Sequence, residues 1–250
     1  FDEIVSVYKF LIYDMIVVKP QTHKLFDIDY YKRKEEVLKI LKSLDINIVD
    51  IDYEETDIKN IQSKLSDRVF ADLKNDMDLM ISRFNKISCT LRIENDLYTI
   101  KKIANGNYDV KALKFKHKNS DSLFGTYEES DGTIRILELI DILLSKDKLF
   151  LIDELDSSLH PLLVTGLLKI FLQSNINNQL IITTHEMKTL DFDLVRRDEI
   201  WFAEKSENGE TRIYSLEEFK DVARFDRKID KAYMEGRFGA IANIDSSYEN

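Results

Sequence analysis

The residues with the clearest chemical potential lie in Leu149-Phe-Leu-Ile-Asp-Glu-Leu-Asp-Ser-Ser-Leu-His-Pro161. Four apolar residues, Leu149 to Ile152, run directly into Asp153 and Glu154. An uninterrupted apolar run of that length suits a strand buried on both faces of a parallel sheet. Carboxylates at its C-terminal end stand where open α/β sheets bind ligands. There Asp153 can hold a magnesium ion and Glu154 can polarise a water. A third acid, Asp156, follows, and His160-Pro161 leads into a helix. Taken alone, the same stretch also reads as a strand that ends in a solvated acidic turn.

Two flanking stretches weigh against that plainer alternative. Upstream, Glu129-Ser130-Asp131-Gly132-Thr133 precedes an amphipathic run from Ile134 to Leu144. Ser130 or Asp131 can cap that helix, and its free backbone N–H groups can bind a phosphate. Gly132 permits close approach of a ligand to the backbone. Downstream, Gln179-Leu-Ile-Ile-Thr-Thr-His185-Glu186 is a second apolar strand that ends in a histidine. The three stretches follow one another at spacings of about 20 and about 30 residues.

In order and wording, these stretches resemble the second half of an ABC-type ATPase. Within that superfamily the chain is most similar to the bacterial "AAA family ATPase" group related to the overcoming-lysogenization-defect, SMC and RecF ATPases. Ser130-Asp-Gly-Thr133 resembles the signature motif, and Leu149 to Glu154 resembles Walker B with its catalytic glutamate. Leu155-Asp-Ser-Ser-Leu-His-Pro161 resembles the D-loop, and His185 the switch histidine. Arg197-Asp-Glu-Ile-Trp-Phe202 and Tyr233-Met-Glu-Gly-Arg-Phe-Gly-Ala240 resemble the same group's C-terminal wording, so the similarity spans about residues 110 to 244. The signature carries Asp131 where transporters have glycine, which fits the soluble relatives and argues against a membrane transporter.

The resemblance implies a set of roles. Asp153 holds Mg²⁺, Glu154 is the base or water-orienting carboxylate, and His185 meets the γ-phosphate or the attacking water. Ser130, Asp131, Gly132 and Thr133 meet the γ-phosphate of an ATP held by the opposite subunit, and Asp156 shapes the D-loop across the dimer interface. His160 is assigned to structure near that interface. The implied fold is an α/β ABC-type ATPase head: a parallel sheet core flanked by helices, an antiparallel strand section and a helical insertion. The implied function is ATP binding and hydrolysis in an anti-phage defence complex, by a head-to-tail homodimer that controls a partner effector, a nuclease among the candidates. Nucleic acid is left open as a further partner. The alternatives are a DNA-maintenance ATPase of the SMC or RecF kind and a non-hydrolysing scaffold.

One part of the machinery is missing. The phosphate cradle of this superfamily is Gly-x-x-x-x-Gly-Lys-Ser/Thr, and none of the seven glycines is followed by lysine. The cradle is expected on a strand–loop–helix ahead of Phe1, and the scarcity of glycine and a first residue other than Met fit that expectation.

The totals bound the rest. The 250 residues, 44% hydrophobic, suffice for one large domain or a core with an appendage. No apolar run approaches the roughly 18 residues of a transmembrane helix, and no secretory signal opens the chain, so a cytoplasmic protein is expected. Cys89, the single cysteine, cannot form an internal disulfide and is expected to pack. A net charge of −10 argues against a whole-surface nucleic-acid binder. His23 and His117 lack partners at metal-ligand spacing, so no zinc site is expected.

Two parts are expected, residues 1–118 with helices and antiparallel strands, and residues 119–250 with the signature, acidic and histidine stretches. In the first, a helix to about Asp14 is followed by a short extended run, a helix at 29–44 and a strand at 46–53. Residues 55–86 carry one apolar stripe, Ile58 through Phe84, as a packed helix, a projecting arm, or two helices joined at a polar turn such as Ser66-Asp67. Antiparallel strands are expected over 88–117, with a turn at Asn105-Gly106-Asn107. Lys114, Lys116, His117 and Lys118 form either a solvated strand face or a contact for a partner. In the second part, helices at 134–145, 161–174 and near 187–195 alternate with strands at 149–153, 179–184, 199–204 and 211–215. A helical run closes the chain at about 217–235. Near the C-terminus, Arg224, Arg227, Lys228, Lys231 and Arg237 form a basic stretch that reads as an ordinary helix face or as a docking patch for an acidic partner or nucleic acid.

Overall fold

The structure is a computed structural model that describes residues 2–19, 23–26, 30, 33–84, 88–93, 96–103, 107–174, 176–220 and 229–241. Helix α1 (Asp2–Lys9) passes through a π-helical turn, Phe10–Asp14, into strand β1 (Met15–Val18). The acidic stretch forms β8 (Leu149–Ile152), and the histidine stretch forms β9 (Gln179–Ile182). These three strands make a parallel sheet in the order β1-β8-β9, with Val18, Ile152 and Ile182 in register. Period-2 alternation sends Ile16, Val18, Phe150, Ile152, Leu180 and Ile182 toward the main core. The opposite row holds Val17, Leu151 and Ile181, and Val17 and Ile181 are 49% and 60% exposed.

The second sheet has six strands and is antiparallel throughout. It runs β2 (His23–Phe26), β4 (Ser88–Ile93), β5 (Asp96–Lys102), β6 (Tyr108–His117), β3 (Ile48–Thr56), with β7 (Leu123–Gly125) also on β6. Alternation divides its side chains cleanly. Leu97, Leu113 and Phe115 face the main core, while Leu91, Ile93, Tyr98, Ile100 and Val110 form a second core on the other side. A register shift between Ile48 and Asp50 lets Ile48 and Ile51 share the main-core face despite their odd spacing.

The stripe over 55–86 forms two helices, α3 (Ile58–Gln62) and α4 (Asp67–Phe84). They are separated at the polar turn: Ser66 accepts Phe70 N–H at its carbonyl, and Asp57 caps α3. Ile61 and Met77 are fully buried against the second core, so this insertion packs on the sheet. Lys114 pairs with Glu54 at 2.8 Å across β3 and β6, and Lys111 lies 3.9 Å from Glu55. Of the basic cluster Lys114, Lys116, His117 and Lys118, Lys114 thus belongs to a cross-strand ion pair, and His117 Nε2 lies 2.6 Å from Glu129 Oε1.

Helix α2 (Lys34–Ser43) buries Val37 and Leu41 and carries Glu35 and Glu36 at its N-terminus and Lys42 at its end, as its dipole favours. Helices α5 (Asp131–Leu139), α6 (Asp141–Leu144) and α7 (Pro161–Gln173) supply buried side chains to the main core. Pro161 opens α7, where its lacking N–H costs nothing, and His160 Nδ1 accepts Leu162 N–H at 3.2 Å as the cap.

Beyond β9 the expected helix near 187–195 is a single 3₁₀ turn, Met187–Thr189. Glu186 accepts Lys188 N–H, Thr189 donates to the Glu186 carbonyl, and Asp191 accepts Asp193 N–H. Such local side-chain bonds compete with helix formation. Strands β10 (Trp201–Lys205) and β11 (Thr211–Ser215) form a hairpin whose turn is supported by Gly209 at φ +84°. Helix α8 (Ile229–Met234) packs there with Phe202 and Phe238 in a third core. The turn residues Asn105 and Gly106 and the basic residues Arg224, Arg227 and Lys228 lie outside the described residues. Among the described residues no helix is long and apolar enough to cross a membrane.

Candidate functional site

The candidate site is built where β8 and β9 end together. The parallel ladder continues past Ile152: Asp153 N–H donates to Val18 O at 2.8 Å, and Thr183 N–H to Ile152 O at 2.9 Å. The chain then turns sharply. Glu154 sits at φ +49°, a left-handed conformation that costs a non-glycine residue roughly 1 kcal/mol. Leu155 N–H donates to Thr183 O at 3.0 Å, and the Leu155 side chain is fully buried. The turn is thus pinned on both sides, and both acidic side chains point to solvent.

Two threonines set the carboxylates. Thr183 Oγ1 donates to Asp153 Oδ1 at 2.7 Å and accepts Glu154 N–H at 2.9 Å. Thr184 Oγ1 donates to Asp156 Oδ1 at 2.6 Å, and His185 N–H reaches the same oxygen at 3.2 Å. Burial pushes the Asp156 carboxyl up, but the bonds from Thr184 and the His185 backbone and the nearby His185 ring outweigh it. Asp156 is therefore held below the usual carboxylate range. The loop after Glu154 closes with Ser157 N–H on Glu154 O and Leu159 N–H on Asp156 O, and Ser158 takes φ +61°.

The upstream stretch arrives beside that loop. Ser130 is the N-cap of α5, accepting Thr133 N–H at 3.1 Å, and its hydroxyl lies 3.0 Å from Thr133 Oγ1. Asp131 stands exposed in the first turn. Gly132 passes so close to the loop that a Cβ there would lie 3.0 Å from Ser158 O. Asp153, Glu154, Asp156 and His185 therefore share one end of the parallel sheet, and Ser130 to Thr133 abut the loop between them.

Four contributors are not singled out by the sequence pattern. Thr183 and Thr184 stood inside the quoted histidine stretch without a role. Arg135 and Glu138 are buried on α5, with Arg135 Nη2 donating to Asp153 O at 3.3 Å and to Glu154 O at 2.9 Å. The available signal was an Arg–Glu pair three residues apart inside an otherwise apolar run.

The donor set also bears on metal binding. Among the described residues, no group of three or more His, Cys, Asp or Glu side chains is arranged to hold a metal ion. Asp153 keeps one carboxylate oxygen outside its bond to Thr183. That suits Mg²⁺, which is commonly held by one or two carboxylates together with phosphate oxygens and water.

Residues 22–191 match the model of a protein family described as "AAA domain, putative AbiEii toxin, Type IV TA system". The matched span takes in every candidate residue named above. No curated protein matches the chain.

Proposed function

The chain belongs to this AAA-domain family, and from that premise we propose that it is an ATP-hydrolysing subunit that works as a head-to-tail dimer and controls an effector in anti-phage defence. The family description names a toxin of a Type IV toxin–antitoxin system, and this reading carries that setting over to the chain. The observation that supports it best is the pair Asp153-Glu154 at the end of a parallel strand, beside His185 and tied to the same neighbouring strand by Thr183.

Phosphoryl transfer is mostly positioning and charge stabilisation, so each residue has a definable task. Mg²⁺, when bound, neutralises charge on the phosphates, and Asp153, fixed by Thr183, is the residue that would hold it. Glu154 orients the attacking water and accepts its proton. His185 donates to the γ-phosphate or the water. Ser130, Asp131, Gly132 and Thr133 offer a helix N-terminus to the phosphate of the opposite subunit's ATP. Asp156 keeps the loop and the His185 backbone in one arrangement.

ATP hydrolysis by the natural full-length protein tests the reading, with Glu154→Gln alongside. The parent is expected to turn over ATP, and the variant to bind ATP while losing about 100-fold or more in kcat. Absence of turnover and of ATP binding in the parent would sink the enzymatic reading and favour a scaffold.

A further inference from the structure

We propose that Arg135 is a positioning residue for the Glu154 carboxylate, and that the ion chain from half-buried Arg92 through buried Glu138 to buried Arg135 couples the antiparallel sheet to the turn that carries it. The catalytic half of this proposal rests on the ATPase reading above.

The geometry is continuous from one sheet to the other. Arg92 lies on β4 between Leu91 and Ile93, whose side chains enter the second core, so alternation sends Arg92 to the opposite, main-core side. There it pairs with Glu138 Oε1 of α5. The other oxygen of Glu138 accepts from Arg135 Nη1 at 3.0 Å. Arg135 Nη2 then holds the Asp153 and Glu154 carbonyls. The Arg135 and Glu138 side chains are only 5% and 2% exposed.

Stability alone does not account for this arrangement. The surrounding positions of α5 are Ile134, Ile136, Leu137 and Leu139, all fully buried. Replacing a buried ion pair by apolar residues of similar volume is often neutral or stabilising. Here two arginines share one glutamate. Burial and the Arg92 charge lower the Arg135 pKa, while Glu154 and Asp156 oppose that shift. Arg135 Nε is buried without a hydrogen-bond partner among the described residues. A group held at such cost fits a geometric task.

The task is visible at Glu154. Its left-handed backbone persists only where surrounding contacts over-determine it. Thr183 fixes its N–H, and Arg135 fixes its C=O. Because Arg135 is held by Glu138, and Glu138 by Arg92, a shift of β4 against α5 reaches the Glu154 turn through charged, directional bonds. Gly132 against Ser158 O makes the start of the same helix move with the loop. The antiparallel sheet, with α3 and α4 packed on its far face, is thereby linked to the orientation of one carboxylate.

The test uses the full-length protein and three variants: Arg135→Gln, Arg92→Gln and Arg92→Lys. Turnover, affinity for a fluorescent methylanthraniloyl-ATP, and amide exchange across residues 149–159 are measured on each. Arg135→Gln is expected to lower kcat about 10- to 100-fold with ATP affinity changed by less than about 3-fold, because misplacement acts on the reacting geometry. Exchange should accelerate at 153–158 while 149–152 stays protected. Arg92→Gln should give the same pattern more weakly, and Arg92→Lys, which restores the pair with Glu138, should recover most of the kcat. The coupling is overturned if Arg92→Gln leaves both kcat and exchange at 153–158 unchanged. That pair of variants decides the matter should Arg135→Gln fail to fold. Exchange rising uniformly along the chain would mean a merely structural role. If the parent hydrolyses no ATP, the ATPase reading fails separately. Unaltered exchange at 153–158 in Arg135→Gln would then overturn the clamp itself.

Discussion

The two large sheets of this protein are covered very differently. Both faces of the antiparallel sheet are packed: Leu113 and Phe115 look into the main core, and Leu91, Ile93 and Ile100 look into a second core sealed by α3 and α4. Among the described residues the parallel sheet packs its Val18, Phe150 and Ile152 row into the main core, while Val17 and Ile181 of its other row stand open to solvent. Parallel sheets are normally covered on both faces. Yet the less covered sheet carries Asp153, Glu154 and His185. The difference teaches that the stabilising mass and the candidate chemistry are separated here: among the described residues the acids and the histidine lie on the sheet with the more exposed row.

The comparison can be broken at its strong side first. Phe115→Ala removes a fully buried ring of β6 that pairs across to Ile51 of β3 and Phe124 of β7. It should lower unfolding free energy by about 3–5 kcal/mol in urea titrations. A loss under about 1 kcal/mol would contradict the view of that sheet as the stabilising element. At the parallel sheet, Thr183→Val keeps the shape and deletes the hydroxyl that bonds Asp153 and the Glu154 N–H. A stability loss of about 1–2 kcal/mol is expected, with a larger proportional fall in ATP turnover than in ATP affinity.

Acid provides a gentler probe of the same end. The folded pKa of Asp156 is depressed, so its contribution to stability is present above the unfolded value, near 3.9 for an aspartate, and is lost as pH falls through the folded value. Stability measured between about pH 5 and pH 2 should therefore decline, less steeply in Asp156→Asn. Identical slopes would mean that Thr184 and His185 do not hold the charged form. The smallest effect belongs to Ile181→Ser on the open face. In the 250-residue chain it should change stability by no more than about 0.5 kcal/mol. A loss of 2 kcal/mol or more would show that this face is covered after all.

Local signals carried far in this chain. The apolar run into two acids became β8 and its turn, Ser130 and Pro161 took the cap and first-turn positions, and the stripe over 55–86 divided at Ser66. Each of these depends on neighbours a few residues away, which periodicity and capping chemistry report. Where local signals competed, the reading was less sharp: residues 187–195 have apolar spacing, but Glu186, Thr189 and Asp191 draw the backbone into turns.

By itself, then, the amino-acid sequence determined most of the elements, the cap of α5 and the acids and histidine at two strand ends. Only the tertiary structure decided that β1 flanks β8 from a position far upstream, that Thr183 and Thr184 hold the two aspartates, and that Arg92, Glu138 and Arg135 join the two sheets. The physical reason is range. Helix and strand periodicity follow from bonds along the chain, whereas strand order and buried ion chains follow from which distant surfaces exclude water together. A charged residue in an apolar pattern announces a partner without saying where in the chain that partner lies.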